Sequence, residues 1–139
     1  MKKVIITGGN SGIGYQAAKQ LAEKGWSVTL FCRRKAAAEQ ACEEIRQQAE
    51  NPHVDYILVD LSDMKSVRQA VEQYIHKEEN LDVLINNAAD FDLSVKKPIL
   101  TKDGLEKQFA TNVGAPFLLS SLLKDLLGKS ESGRIINIS

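Results

Sequence analysis

The sequence is poor in the residues that staple, break or span. It has two cysteines, Cys32 and Cys42, in 139 residues, too few for a disulfide framework, and both read as reduced, mostly buried thiols. Three prolines and nine glycines exclude a collagen-like repeat. Neither sign of charge dominates: 18 basic and 18 acidic side chains cancel, which argues against a surface built to hold nucleic acid or an anionic membrane. Apolar runs such as 83–85 and 116–119 are far too short to cross a bilayer. His53 and His76 are far apart and lack ligand spacing, so no metal site is expected. At the N-terminus, Lys2 and Lys3 are followed by an apolar stretch too short for a signal peptide, and the expectation is a cytoplasmic, soluble chain. What remains, 43% hydrophobic and 26% charged residues, is the balance of one globular domain.

Short apolar runs rich in β-branched residues alternate with amphipathic stretches. Strands are predicted at 4–6, 27–32, 54–59, 81–85 and 135–138, and helices at 12–24, 35–50, from Ser62 as cap to about 77, and from Thr101 as cap over 102–127. The third helix is expected to bury Val67, Val71, Tyr74 and Ile75. The last is expected to bend at Gly114-Ala115-Pro116, and 90–100 reads as looser. Near-continuous apolar strands separated by helices indicate an α/β fold with a parallel sheet covered on both faces. Right-handed crossovers then give a Rossmann-like doubly wound sheet in the order 3-2-1-4-5. No helix follows the fifth strand, and its apolar edge lacks cover, so the domain 1–139 is expected to be incomplete at its C-terminus.

Thr7-Gly8-Gly9-Asn10-Ser11-Gly12-Ile13-Gly14 joins the first strand to the first helix. Glycines let backbone approach a ligand closely, and the helix start presents free N–H groups and the positive end of its dipole. Gly8, Gly12, Ile13 and Gly14 therefore read as a pyrophosphate cradle. A P-loop is excluded because no Lys-Ser/Thr follows the last glycine. After the second strand, where a carboxylate would bind ribose hydroxyls and select NAD, stand Cys32-Arg33-Arg34. The planar forks of Arg33 and Arg34 suit a 2′-phosphate, with Asn10 and Ser11 adding hydrogen bonds, so NADP is expected over NAD. Asp60 ends the third strand and can accept from an adenine amino group. Asn86-Asn87-Ala88-Ala89 ends the fourth strand beside the switch point. Asn112 is a lone amide among Phe109, Ala110, Val113 and Phe117, on what reads as an apolar helix face.

Together these residues resemble the short-chain dehydrogenase/reductase family. Thr7-Gly8-x-x-x-Gly12-Ile13-Gly14 matches its cofactor motif, Asp60-Leu61 its adenine-contacting step, and Asn86-Asn87-Ala88-Ala89 its Asn-Asn-Ala-Gly. Asn112 falls at the active-site asparagine, and 134–139 look like the strand leading to the catalytic serine. Cys32-Arg33, 60–63 and Thr101-x-Asp103-Gly104 look like the retinol dehydrogenase and WW-domain oxidoreductase branch. The resemblance implies an NADP-dependent oxidoreductase acting on an alcohol or carbonyl substrate of lipophilic character. Asp60 and Leu61 would hold adenine, Asn87, Ala88 and Ala89 would lie against a ribose, and Asn112 would support a proton-relay water.

The family's serine and Tyr-x-x-x-Lys pair follow the fifth strand, whereas Tyr15, Tyr56 and Tyr74 all precede it. Ser139 matches the first of the family's serine pair. As written, the chain is expected to bind cofactor weakly and not to turn over. Pairing of copies through the last helix, as dimer or tetramer, is also implied. Two other readings are a non-catalytic NADP sensor or interaction domain, and a methyltransferase-like adenosine-binding protein. The residues Cys32-Arg33 at the second strand's end disfavour the latter.

Overall fold

The computed structural model describes residues 1–90, 94 and 96–138. Strands β1 (Lys3–Thr7), β2 (Ser27–Cys32), β3 (Val54–Leu58), β4 (Val83–Asn86) and β5 (Arg134–Asn137) form one parallel sheet in the order β3-β2-β1-β4-β5. Helices α1 (Gly12–Glu23), α2 (Lys35–Ala49) and α3 (Met64–Lys77) provide the first three connections. The fourth carries one turn, α4 (Lys107–Phe109), a π-helical segment (Ala110–Gly114) and α5 (Ala115–Gly128). The expected order and doubly wound architecture are what the structure has, with element boundaries mostly shifted by one or two residues.

Alternation along the central strand builds two cores. Val4 and Ile6 face one side and Ile5 the other, all fully buried. The first side packs Val28, Leu30 and Cys32 against Ala18, Ala22, Ala38, Cys42 and Ile45 of α1 and α2. Alanines there let the helices lie close to the sheet. The second side packs Ile5, Phe31, Ile57 and Leu84 against Val67, Val71, Tyr74, Leu119 and Leu123 of α3 and α5. Both cysteines are free and buried. Burial pushes the Cys42 thiol up to about 12, against the pull of Arg46, so it behaves as an inert apolar filler. Among the described residues β5 pairs with β4 alone, and Ile135, Ile136 and Ile138 stay more than 40% exposed. No described helix is long and apolar enough to cross a membrane.

Three helix readings need correction. Asp63, not Ser62, caps α3, its Oδ1 accepting from the Lys65 N–H at 3.1 Å. Ser62 instead gives its N–H and hydroxyl to Asp60 Oδ1, at 3.0 and 2.7 Å, because a carboxylate two residues back is the stronger acceptor. Ile75 is 45% exposed, and the buried stripe runs Val67, Ala70, Val71, Tyr74. Residues 102–106 are not helical. Thr101 N–H donates to the Leu105 carbonyl, Lys107 N–H to the Ile99 carbonyl, and Leu100 bridges Glu106 in antiparallel sense. Thr101 Oγ1 accepts from the N–H groups of Asp103 and Leu105, a cap-like pattern that closes a hairpin rather than opening a helix. Glu106 caps α4 instead, its carboxylate accepting from Gln108 and Phe109 N–H at 2.9 Å each.

Asn51, just after α2, is a clasp. It is 7% exposed, donates to the carbonyls of Ala22 and Trp26, and accepts from His53 N–H, all at 2.8–2.9 Å. It thereby ties the end of α1 to the entry of β3. Asn51→Ala is expected to cost about 2–3 kcal/mol, since it strands buried carbonyls and an N–H. Urea denaturation of the two proteins measures it.

Candidate functional site

The strand order reverses between β1 and β4, so the loops leaving these strands diverge and open a crevice at their C-terminal ends. A clasp holds the crevice in shape. Thr7 Oγ1, on a residue 2% exposed, accepts from the backbone N–H groups of Asn87 and Ala88, both at 3.0 Å. Asn87 returns the contact, its Nδ2 donating to the carbonyls of Thr7 and Gly8 at 3.2 and 3.3 Å. Gly14 completes the joint: a Cβ there would lie 2.5 Å from Asn87 Nδ2 and 2.7 Å from the Gly8 carbonyl, so only glycine lets the first turn of α1 approach. Gly12 has φ +58° and open space where a Cβ would be.

Around this joint lies a cleft of about 440 Å³. Of the residues singled out from sequence, Gly8, Asn10, Ser11, Arg33, Arg34, Asp60, Leu61, Ala88 and Ala89 line it together. Gly12, Ile13, Gly14 and Asn87 border the cleft's loop rather than its wall, Ile13 being 69% exposed. Asn112 does not line the cleft, and the apolar residues around it face mostly outward: Phe109, Val113 and Phe117 are at least half exposed, while Ala110 is buried. Asn112 sits in the π-helical segment, where the Ala115 N–H reaches the Ala110 carbonyl five residues back. Pro116 has no N–H for the Asn112 carbonyl, which favours that widened turn. The Asn112 amide is spent on backbone: Oδ1 accepts from Asp90 N–H and Nδ2 donates to the Asp90 carbonyl, both at 2.7 Å. It thus fixes the chain leaving Ala89. Asp90 and Thr111, next to this pair, line the cleft.

Three cations, Arg33, Arg34 and Lys107, line the cleft with two carboxylates, Asp60 and Asp90. Burial pushes the Asp60 carboxyl up, but hydrogen bonds from Ser62 and the charges of Arg33 and Lys107 outweigh it and hold it below its ordinary value. Cys32 lies on the floor. Burial raises its thiol to about 11 even though Gly9 and Asn10 N–H groups donate to it, so it supplies no nucleophile. Lys107, Thr111 and Asp90 escaped the sequence reading because nothing in a lysine or threonine on a presumed helix surface signals a cleft. Asn86 is 5% exposed and donates to Asn137 Oδ1 at 2.9 Å, while its own Oδ1 has no partner among the described residues. No cluster of described side chains could hold a metal ion.

The spacing Tyr-x-x-x-Lys does occur, at Tyr15 and Lys19, but on the wrong face. The Tyr15 hydroxyl donates to Glu44 Oε2 at 2.9 Å on α2. Burial and that carboxylate push the phenol above its ordinary value, the reverse of what proton transfer at neutral pH needs. Ser139 lies outside the described residues.

The clasp makes a direct prediction. Thr7→Val keeps shape but leaves the Asn87 and Ala88 N–H groups unpaired in a buried site. It is expected to lower stability by about 2–3 kcal/mol, read by thermal unfolding, with the sheet's circular dichroism retained.

A family model described as short chain dehydrogenase matches residues 2–139. Over 139 residues the chain is 43% identical to retinol dehydrogenase 13 of Mus musculus, covering 99% of this chain and 40% of that protein. Over 135 residues it is 42% identical to dehydrogenase/reductase SDR family member 12 of Homo sapiens, covering 97% and 41%. A solved metagenomic short-chain oxidoreductase in complex with NADP superposes with a TM-score of 0.85 at 26% identity, covering 99% of this chain and 61% of that one. The chain spans about two fifths of the length of the curated relatives it matches. With the strand order, the glycine loop clasped to β4 and the family match all covering the same residues, the chain belongs to the short chain dehydrogenase family.

Proposed function

We propose that these residues are the cofactor-binding part of an NADP-dependent oxidoreductase that moves hydride between the nicotinamide and an alcohol or carbonyl carbon. The observation that carries this reading is the pair Arg33 and Arg34, which directly follow β2 and line the same cleft as Gly8, Asn10 and Ser11. No carboxylate stands where NAD-selecting members of such folds place one. The chain fits the dinucleotide on further grounds. Gly12 faces open space with no side chain to block a pyrophosphate, and Ser11, the cap of α1, makes no side-chain bond to the helix, so the N–H groups of the first turn stay available to an anion.

When bound, the dinucleotide supplies the hydride chemistry. The chain's own residues bind and orient. Arg33, supported by Arg34, offers a bidentate fork to a 2′-phosphate. Asp60 Oδ1 is occupied by Ser62, which turns the other carboxylate oxygen toward service as an acceptor for an adenine amino group, with Leu61 beside it. Ala88 and Ala89 line the cleft where a ribose would lie, with Asn87 behind them holding the loop. Asn112 positions the Asp90 backbone and would support a proton-relay water in the whole enzyme. The names of the relatives favour a lipophilic alcohol or carbonyl substrate. The exposed Phe109, Val113 and Phe117 favour pairing of two copies along α5.

Two outcomes test the reading. Arg33→Ala is expected to weaken NADPH binding about 10- to 100-fold, the worth of a charge-assisted contact, while NADH binding changes little. Titrating the fluorescence of each reduced nucleotide measures both, and an equal loss for the two overturns the assignment of the 2′-phosphate to Arg33. The second outcome concerns catalysis. Because no described tyrosine reaches the cleft, a polypeptide of these 139 residues is expected to bind NADPH without oxidising it in the presence of a retinaldehyde-like carbonyl. Steady NADPH consumption by such a chain would refute this.

A further inference from the structure

Thr101-x-Asp103-Gly104 has no part in the cofactor reading, yet each of its residues has one task in the 99–107 hairpin. Thr101 Oγ1 accepts from the Asp103 and Leu105 N–H groups, both at 3.3 Å. Gly104, at φ +76°, takes the left-handed turn that a side chain disfavours. Asp103 is exposed and borders neither the cleft nor the smaller cavity of about 230 Å³ beside it. It reaches away from the hairpin instead. Its Oδ2 accepts from the N–H of Met64, the first residue of α3, at 3.0 Å.

That bond joins the two walls of the cleft. The first turn of α3 carries one wall: Ser66 Oγ accepts from the Asp60 N–H at 2.8 Å, and Asp60, Leu61 and Ser62 line the cleft. The hairpin carries the other. The Lys107 N–H closes it on the Ile99 carbonyl at 2.7 Å, Glu106 caps the turn that follows, and Lys107 and Thr111 line the cleft from there. Two further contacts join the same parts. Lys102 stands 4.0 Å from Asp63 but its side chain is 88% exposed, a pair worth little in water. The side chains of Met64 and Leu105 both flank Gly114, an apolar contact that holds hairpin and helix together without fixing direction. Asp103 supplies the directional contact, and its charge suits the positive end of the α3 dipole.

We infer that Asp103 is a positioning residue for dinucleotide binding: the hairpin it anchors is a strut that sets the spacing of the two walls, so that nucleotide binding and hairpin docking are coupled. The inference rests on the dinucleotide reading above. A nucleotide lying between the walls contacts both only while the hairpin is docked. Linkage makes the effect reciprocal: whatever docking adds to affinity, the bound nucleotide returns to docking. Asp103 lies outside the cleft and touches no part of the ligand, so the coupling is blind to the 2′-phosphate.

Hydrogen exchange of the Met64 amide, followed by NMR on the purified protein, reads the docking. At ten times the dissociation constant of NADPH, this amide is expected to exchange about tenfold more slowly than in the free protein, because opening must await dissociation. Asp103→Ala is expected to weaken NADPH and NADH alike by about three- to tenfold, the worth of one exposed hydrogen bond to a charged group, as read by nucleotide fluorescence titration. Asp103→Asn keeps an acceptor oxygen for Met64 and should retain most of the affinity. Exchange that NADPH does not slow, or an Asp103→Ala protein that loses stability in urea but no affinity, marks a helix cap alone and overturns the inference. A loss confined to NADPH overturns it too, since that would make Asp103 a contact of the 2′-phosphate. Failure of the wild type to bind either nucleotide overturns the reading beneath, and the inference falls with it.

Discussion

The hydroxyl of Thr7 is the point on which the rest of the site depends. At a doubly wound sheet's switch point the loops from β1 and β4 leave in opposite directions, and the Asn87 and Ala88 N–H groups of the β4 loop would otherwise lack a partner. Thr7 Oγ1 accepts both, and Asn87 Nδ2 answers on the carbonyls of Thr7 and Gly8. Four polar contacts thus lock the glycine loop to the β4 loop. The first turn of α1 can then lie against Asn87 because Gly14 carries no side chain.

A second lock works at the other side of the β4 loop. Asn112 holds Asp90 through both amide atoms, and it does so from a widened helical turn ahead of Pro116. A regular helix would place residue 112 at a different height and azimuth relative to the sheet. The proline, which removes one N–H from the helical ladder, and the amide pair with Asp90 thus describe one local solution: the helix yields a turn of regularity so that a loop of the cleft is held at both ends.

The electrostatic character of the cleft follows from which elements end there. Arg33 and Arg34 follow β2, Asp60 follows β3 and Lys107 opens α4, so three cations share the cleft with Asp90 and with the Asp60 carboxylate that Ser62 orients. Cys32, by contrast, is on the same floor but buried, and its raised thiol removes it from chemistry. The cleft thus presents cations and an oriented carboxylate but no activated thiol.

The period of the apolar residues carried the alternation of strands and helices, and with the handedness of crossovers it carried the sheet order too, because both are consequences of local chain geometry. The glycine loop, Asp60 and the arginines after β2 were legible for the same reason: their meaning depends on the element they adjoin. Helix caps were less legible, since Ser62 and Thr101 had the right residue type but found better partners in Asp60 and in the 99–107 hairpin. That the apolar strip Phe109, Val113 and Phe117 is exposed was not legible, because periodicity marks a stripe without saying what lies opposite. Tertiary structure alone decided that Asn51 clasps three segments, that Asn112 serves the Asp90 backbone, and that Lys107 lines the same cleft as Asp60. Each of these depends on two loops meeting across many residues of chain, and that meeting is set by how the layers pack, which no local pattern encodes.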